Sequence, residues 1–266
     1  MKKLELCVLI TTMNENIRRV KEELLPQLKE CNVVISHQIT KIDIHPETEP
    51  LGKNVIYQHL FDKGLSKNRN NALNYSTGDI CIICDDDLKY ISRFDKTILN
   101  AYANNPTADI ITFRAVTPEG KFHDKLPNKK FKHNPKTILS VCSWMITFKK
   151  DSIIKNNLKF DDMFGLGSKY NIGEENIFLK DCLTSNLNVI HIPKEIVIHP
   201  EESSGVLWNE KQCYSRGAVF KRMYENVWGF LLCLIFSILK YREYKRKLGF
   251  KKHLKLILNG FLDFKG

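Results

Sequence analysis

A chain of 266 residues with 43% apolar and 27% charged side chains is ordinary for a globular protein with a sizeable core, in one large domain or one domain with an appendage. Its eight cysteines are scattered, mostly inside apolar runs, which argues against a disulfide framework and for buried thiols in a reducing compartment. The net charge of +11 is uneven: between Lys240 and Lys255, eight basic residues stand against one glutamate, so a localised anionic partner is expected, either a membrane surface or nucleic acid.

From the start, Met1-Lys2-Lys3 leads directly into a short strand over 4–10, with no segment that reads as a signal peptide, so a cytoplasmic location is expected. The strand ends in Thr11-Thr12-Met13, a helix is predicted over 17–29, and a second strand over 33–36 ends in His37-Gln38. Two strands around one helix within so short a span make a βαβ unit and imply a parallel sheet. Thr11 and Gln38 then lie at strand ends, as ligand contacts or as ordinary loop residues. A third short strand over 54–59 leads to Gly64.

The stretch from Gly64 to Tyr90 is the most informative. Ser66 reads as a helix N-cap, with Ala72 and Leu73 forming an apolar side that Arg69 shares. Arg69 in the first turn opposes the helix dipole, a penalty that a bound anion reverses; a structural salt bridge is the other reading. A turn at 76–79 precedes the continuous apolar run 80–84, the pattern of a strand buried on both faces. Cys81 and Cys84 have metal or redox spacing but no second pair, and they fall inside that strand. Asp85, Asp86 and Asp87 follow at its carboxyl end, where open α/β sheets place ligands. Three adjacent carboxylates repel one another, and a divalent cation removes the conflict.

Beyond them a helix is predicted over 93–104, a strand over 110–116, a polar loop or hairpin over 117–135 and a strand over 140–148 carrying Trp144, which either faces a ligand or sits in the core. Gly165 and Gly167 mark a turn before a helix over 176–183, entered through Gly173-Glu174-Glu175. Glu175 precedes Phe178, Leu179 and Cys182 by helical spacing and so is expected to face the protein body, with Glu174 on the side of Asp181; both also suit the positive helix end. Strands over 189–192 and 196–198, separated by a turn at 193–195, end in His199, a candidate ligand or a plain surface or core histidine. In the tail, 227–239 is hydrophobic on all sides but too short to span a bilayer confidently. After the basic block, Phe250, Leu254, Ile257 and Phe261 recur at helical spacing. An apolar helix beside a basic amphipathic one is the pattern of a protein lying on an anionic membrane; internal packing is the alternative. The block lacks interleaved aromatics, so no nucleic-acid partner is expected.

The order of these features over roughly 4–205 resembles the nucleotide-sugar glycosyltransferases of family 2: Gly64-Leu65-Ser66, Arg69-Asn70, an Asp-x-Asp at Asp85 and Asp87, a Gly-Glu-Glu helix start, a terminal His. The resemblance implies an α/β GT-A fold, Rossmann-like, with a mainly parallel central sheet flanked by helices. It places the catalytic domain at 1–205, and the pattern of the tail itself places a helical, basic and apolar membrane-association region at 206–266. It implies nucleotide-sugar binding by Thr11, Met13, Gln38, Arg69, Asp85 and Asp86, and a divalent cation, Mn2+ or Mg2+, on Asp87 with Asp85 and His199. Imidazole ligation tilts that choice toward manganese. Glu175 corresponds to the family's general base, with Glu174 as the fallback, and Trp144 is assigned to the acceptor side. One departure stands out: the family's base-contacting Asp at the end of the second strand is replaced by His37-Gln38.

The expected reaction is inverting, metal-dependent transfer from a nucleoside diphosphate sugar, UDP-linked, to a hydroxyl of a lipid-linked saccharide in surface polysaccharide synthesis, on the inner face of the cell membrane. Two rivals come from other classes. A metal-dependent nucleotidyl or phosphoryl transferase needs a phosphate cradle, and neither GxGxxG nor GxxxxGK is present. A catalytically silent, membrane-bound nucleotide-sugar-binding module is the other.

Overall fold

The computed structural model describes residues 4–199, 208–224 and 226–265. The chain divides into two compact units: Met1–Lys63, Lys67–Phe160 and Phe178–Glu201 form the first, and Gly64–Ser66, Asp161–Ile177 and Glu202–Gly266 the second.

The first unit is built on one sheet. Its strands are β1 (Leu6–Met13), β2 (Asn32–Gln38), β3 (Val55–Leu60), β4 (Ile80–Asp85), β5 (Lys89–Tyr90), β6 (Ile110–Val116), β7 (Phe131–Lys132), β8 (Ile146–Lys149) and β9 (Val189–Ile198), in the order β3-β2-β1-β4-β8-β6-β9-β5 with β7 beside β9. The first four are parallel, and β8 reverses the sense against both β4 and β6. The apolar runs of β1, β4 and β6 are buried throughout their cores because both faces of the sheet are covered. Cys81 and Cys84 stand three apart in β4, so they face opposite sides of the sheet and form no common site.

Three expected elements take a different form. The crossover from β1 to β2 is an irregular helical segment: a 3-10 turn at Asn14–Asn16, a short α1 (Ile17–Arg19), a π turn at Val20–Leu24 and a second 3-10 turn at Leu25–Gln27. Pro26 has no N–H and its ring crowds the carbonyl four residues back, so a regular helix to residue 29 is excluded. The expected strand over 140–148 begins only at β8; before it the chain makes 3-10 turns at Thr137–Ser140 and Ser143–Met145. Residues 193–195 make no turn. They lie inside β9, where the register against β6 shifts between Thr112 and Arg114 and again before Ala115, and such a bulge accommodates Pro193 without a ladder donor.

Helices α2 (Leu65–Asn74), α3 (Phe94–Ala103), α4 (Lys150–Lys155) and α5 (Glu174–Thr184) complete the αβ part. Ser66 is not the cap of α2 but lies inside it, and its Oγ donates to the Phe164 carbonyl at 2.7 Å.

The second unit contains α6 (Glu210–Tyr224), α7 (Asn226–Leu239), α8 (Tyr241–Tyr244) and α9 (Phe250–Asp263). Its core joins Phe220 of α6, Cys233 of α7, and Ile257 and Phe261 of α9. Helices α6 and α9 approach to backbone contact: a Cβ on Gly217 would fall 1.8 Å from the Ile257 carbonyl oxygen, and one on Gly260 would fall 1.8 Å from that of Tyr214. Among the described residues no helix is long and apolar enough to cross a membrane.

Candidate active site

The parallel half of the sheet sets a row of polar side chains at its carboxyl edge, because β1, β2 and β4 end in register. Thr11 of β1 lies between Ser36 of β2 and Asp85 of β4, and Met13 pairs with Gln38. Thr11 is buried and its Oγ1 has no hydrogen-bond partner among the described residues, whereas Met13 is exposed. Gln38 is buried and its Nε2 donates to the Asp62 carbonyl. A carbonyl only accepts, so the amide orientation follows, and Oε1 remains the acceptor end. His37 is held the same way: its Nε2 donates to the Asn14 carbonyl at 2.8 Å, which leaves Nδ1 to accept from the Tyr57 hydroxyl at 2.8 Å. Burial pushes the His37 imidazole below its usual range, in keeping with that neutral tautomer.

Helix α2 is tied to these strand ends by consecutive polar residues. Asn68 Nδ2 donates to the Thr12 carbonyl at 3.1 Å, and Asn71 Nδ2 to Ser36 Oγ at 2.7 Å. Asn70 bonds the Phe160 backbone in both directions at 2.8 Å. Arg69 is buried, its guanidinium 3.0 Å from Asp85 Oδ1 and 5.6 Å from the centre of the Phe160 ring. Thus Arg69 does lie on the inward side with Ala72, and a salt bridge engages it.

The three carboxylates are separated by three different partners. Asp85 faces Arg69 on one oxygen and accepts from Ser143 Oγ at 3.2 Å on the other. Asp86 takes Arg19 on Oδ1 and Thr12 Oγ1, at 2.7 Å, on Oδ2; Arg19 Nε also donates to the Asp86 carbonyl at 2.8 Å. Asp87, half exposed, stands 3.6 Å from His199 Nε2. The contact with His199, more than the charge of Arg19, holds the Asp87 carboxyl below its usual range against the opposing effect of burial.

His199 and Trp144, expected in separate roles, form one cluster. The imidazole is buried and stacks on the indole at 4.3 Å with an interplanar angle of 12°, and His123 meets both rings edge-on. A ring nitrogen of His123 donates to the His199 carbonyl at 2.6 Å, fixing the end of β9. Trp144 is buried, its Nε1 without a hydrogen-bond partner among the described residues. Asp87 and His199 combine a hard carboxylate with an imidazole, a donor set that fits Mn2+ or Mg2+ once phosphate oxygens complete the shell. Asp85 is engaged by Arg69 and Ser143, and among the described residues no three His, Cys, Asp or Glu side chains converge as a metal cluster.

In the second unit, Gly173 (φ +85°) turns the chain into α5 against Val219, whose methyl carbon would lie 2.6 Å from an added Cβ. The expected facing of the two glutamates is reversed: Glu174 is buried and Glu175 half-buried. Side chains in a first helical turn point back over the preceding segment, and the Glu174 carboxyl accordingly covers Gly165, close to Ser66 Oγ. Burial of the Arg216 guanidinium in the same unit lowers its pKa, against the opposing charges of Cys213, Glu243 and Glu175. Residues 200–207, which follow His199, lie outside the described residues.

Arg19, Thr12, Ser143 and His123 were not singled out by the sequence. Each contacts a partner 58 to 76 residues away, and no local pattern announces such a pairing.

The family model described as glycosyl transferase family 2 matches residues 7–162, more than half of the chain. No curated protein matches the chain significantly. Among solved structures, residues 1–349 of TarS from S. aureus are similar at 15% identity and a TM-score of 0.63, over 97% of this chain and 80% of that one. The same fragment in complex with UDP-GlcNAc is similar at 14% identity and a TM-score of 0.66, over 97% of this chain and 81% of that one. Its complex with UDP gives 14% identity and a TM-score of 0.62, over 97% and 80%. At such identity the likeness concerns the fold, an α/β architecture of the GT-A kind.

Proposed function

We propose that this chain, which belongs to glycosyl transferase family 2, moves a sugar from a UDP-linked donor to a hydroxyl of a lipid-linked saccharide, with inversion at the anomeric carbon. The observation that carries the reading is the division of the three carboxylates at the end of β4. Asp85 and Asp86 are engaged by protein partners, and Asp87 is left half exposed beside His199.

Thr11, Met13 and Gln38 would hold the nucleoside, and Gln38 favours uracil. Its Oε1 is an acceptor, which suits the ring N–H that uracil carries at N3 and mismatches cytosine, whose N3 accepts. The UDP and UDP-GlcNAc complexes of TarS support the same donor class. Arg69 adds a fixed positive charge at the edge where the diphosphate would lie, and positions Asp85. Asp87 and His199, with Asp85 nearby in the chain, are the residues to hold a divalent cation, which supplies charge neutralisation to a departing diphosphate. Glu175, as the second carboxylate after Gly173, takes the proton from the acceptor hydroxyl as general base; Glu174 is the fallback. Trp144 is assigned to the acceptor side through its stacking on His199. Residues 1–205 would form the catalytic domain, and 206–266, with the apolar and basic stretch 227–266, would attach it to the anionic inner face of the cell membrane.

The test is a thermal-shift panel of uridine, guanosine and cytidine diphosphates and their sugars, with and without Mn2+, on the wild type and on Asp87→Asn. A ligand specific for the folded state adds about 2.7 kcal/mol at a hundredfold excess over its dissociation constant. The expected result is a Mn2+-dependent shift with uridine nucleotides that Asp87→Asn abolishes. No shift with any nucleotide, in protein shown to be folded, would overturn the nucleotide-sugar reading, and a shift without sugar transfer would favour the silent binding module.

A further inference from the structure

The membrane reading above rests on composition, and the structure distributes its two helices differently from their sequence patterns. Helix α9 has the amphipathic pattern, yet the centre of its apolar stripe is not available to lipid. Ile257 and Phe261 are buried in the core of their own unit, where α9 meets α6 at Gly217 and Gly260. Helix α7 is arranged the other way round. Its buried positions are the small ones, Gly229, Cys233 and Ser237, four residues apart. Its outward positions are Trp228 (73% exposed), Leu231, Ile235 and Ile238 (64%), three or four residues apart and without a charge among them. A helix on a water-facing surface buries its large apolar side chains and exposes polar ones. Here Leu232 and Phe236 pack against the core, and a second set of large apolar side chains faces outward.

We infer that the outward face of α7 is the surface that enters an anionic phospholipid bilayer, with the helix lying in the interfacial plane. This deepens the attachment part of the proposed function and rests on it. Length supports the mode: fourteen residues span about 21 Å, short of the roughly 30 Å hydrocarbon core. The ends support it as well, because Trp228 near the start and Tyr241 just past the end are both exposed, and amphipathic aromatic rings favour the headgroup level. Charge selects the occupant. The chain that leaves α7 carries Arg242, Lys245, Arg246 and Lys247, all exposed and, among the described residues, without an ion-pair partner. A second copy presents the same positive block and leaves both uncompensated, whereas anionic headgroups supply the opposite sign at the edge of the apolar face.

The experiment uses the full chain with vesicles of phosphatidylcholine containing phosphatidylglycerol, and with phosphatidylcholine alone. Vesicle co-sedimentation measures attachment, and quenching of Trp fluorescence by brominated acyl chains reports insertion. Trp228→Phe identifies which part of the signal belongs to α7. The expected result is co-sedimentation that requires the anionic lipid, quenching that disappears in Trp228→Phe, and a loss of partitioning of about tenfold or more in Leu231→Ser/Ile235→Ser. Leu262→Ser, an exposed apolar site on α9, should stay within about twofold of wild type. Far-UV circular dichroism and melting confirm that the α7 variant is folded. Co-sedimentation without quenching, unchanged by the α7 substitutions, would overturn α7 as the inserting helix and leave attachment through the basic block standing. No co-sedimentation with either vesicle would overturn both. A dimer abolished by Leu231→Ser/Ile235→Ser, without vesicle binding, would assign the face to a second copy instead.

Discussion

Asp85, Asp86 and Asp87 place three like charges on consecutive residues, and each is answered from a different part of the chain: Arg69, Arg19 and His199. The run of carboxylates and the arginine in the helix before it are visible in the sequence because both are local. The pairing of Asp86 with Arg19 and of Asp85 with Ser143 is not, since it depends on how β1 and β8 lie against β4. The two glutamates at the start of α5 show the limit of a helical-wheel argument. Periodicity ranks Glu175 inward, but first-turn side chains lean back over the preceding segment, and Glu174 is the one covered. Their roles separate by experiment. Glu175→Gln should lower turnover by about 10²- to 10⁴-fold while the nucleotide-induced thermal shift is kept. Glu174→Gln should lower the melting temperature of the free protein, since its carboxyl is buried. Loss of turnover in Glu174→Gln with normal melting, and none in Glu175→Gln, would move the base to Glu174.

At the scale of elements, local chemistry decides where regular structure stops. Pro26 breaks the first crossover into 3-10 and π turns, and the bulge opposite Arg114 lets β9 run through Pro193. Arg114 also pins the polar segment after β6, through a buried ion pair with Asp124 at 3.2 Å and the face of Phe122 at 4.0 Å. Helices α6 and α9 depend on two glycines. Gly260→Ala gains about 1 kcal/mol of helix propensity but drives a methyl group into the Tyr214 carbonyl, an overpacking clash that costs about 3 kcal/mol. The net loss of about 2 kcal/mol should appear as a lower urea midpoint. Gly249→Ala, at the N-cap of α9 with nothing within 4 Å of the added carbon, should lower the midpoint by no more than the loss of a favourable cap, about 0.5 to 1 kcal/mol, accounts for.

At the scale of the molecule, buried neutral histidines couple folding to pH. His133 and His191 share Thr112 Oγ1, at 2.8 and 3.0 Å, and burial lowers both to about 4, helped by each other's proximity for His133 and by Arg114 for His191. The unfolded chain protonates them near pH 6.5, so between about 6.5 and 4 it binds protons that the folded state refuses. Stability is therefore full above pH 6.5 and falls as the pH drops through that window, by up to about 1.4 kcal/mol per pH unit for each histidine. Urea midpoints at pH 7, 5.5 and 4.5 measure the slope. His133→Asn/His191→Asn should be less stable at pH 7 and show a shallower fall, and an unchanged slope would exclude this pair as its source.

The continuous apolar run, the acidic triplet and the ordered succession of short motifs made the α/β fold and the resemblance to family 2 glycosyltransferases legible, because all of them are properties of neighbouring residues. Tertiary structure alone decided which side chain answers which aspartate, that His199 and Trp144 share one stack, and that α7 keeps a run of large apolar side chains exposed while Ile257 and Phe261 of α9 are buried. Those outcomes are set by contacts between distant segments. A helical pattern tells which residues share a face, and only the packing of neighbouring elements tells which face is covered.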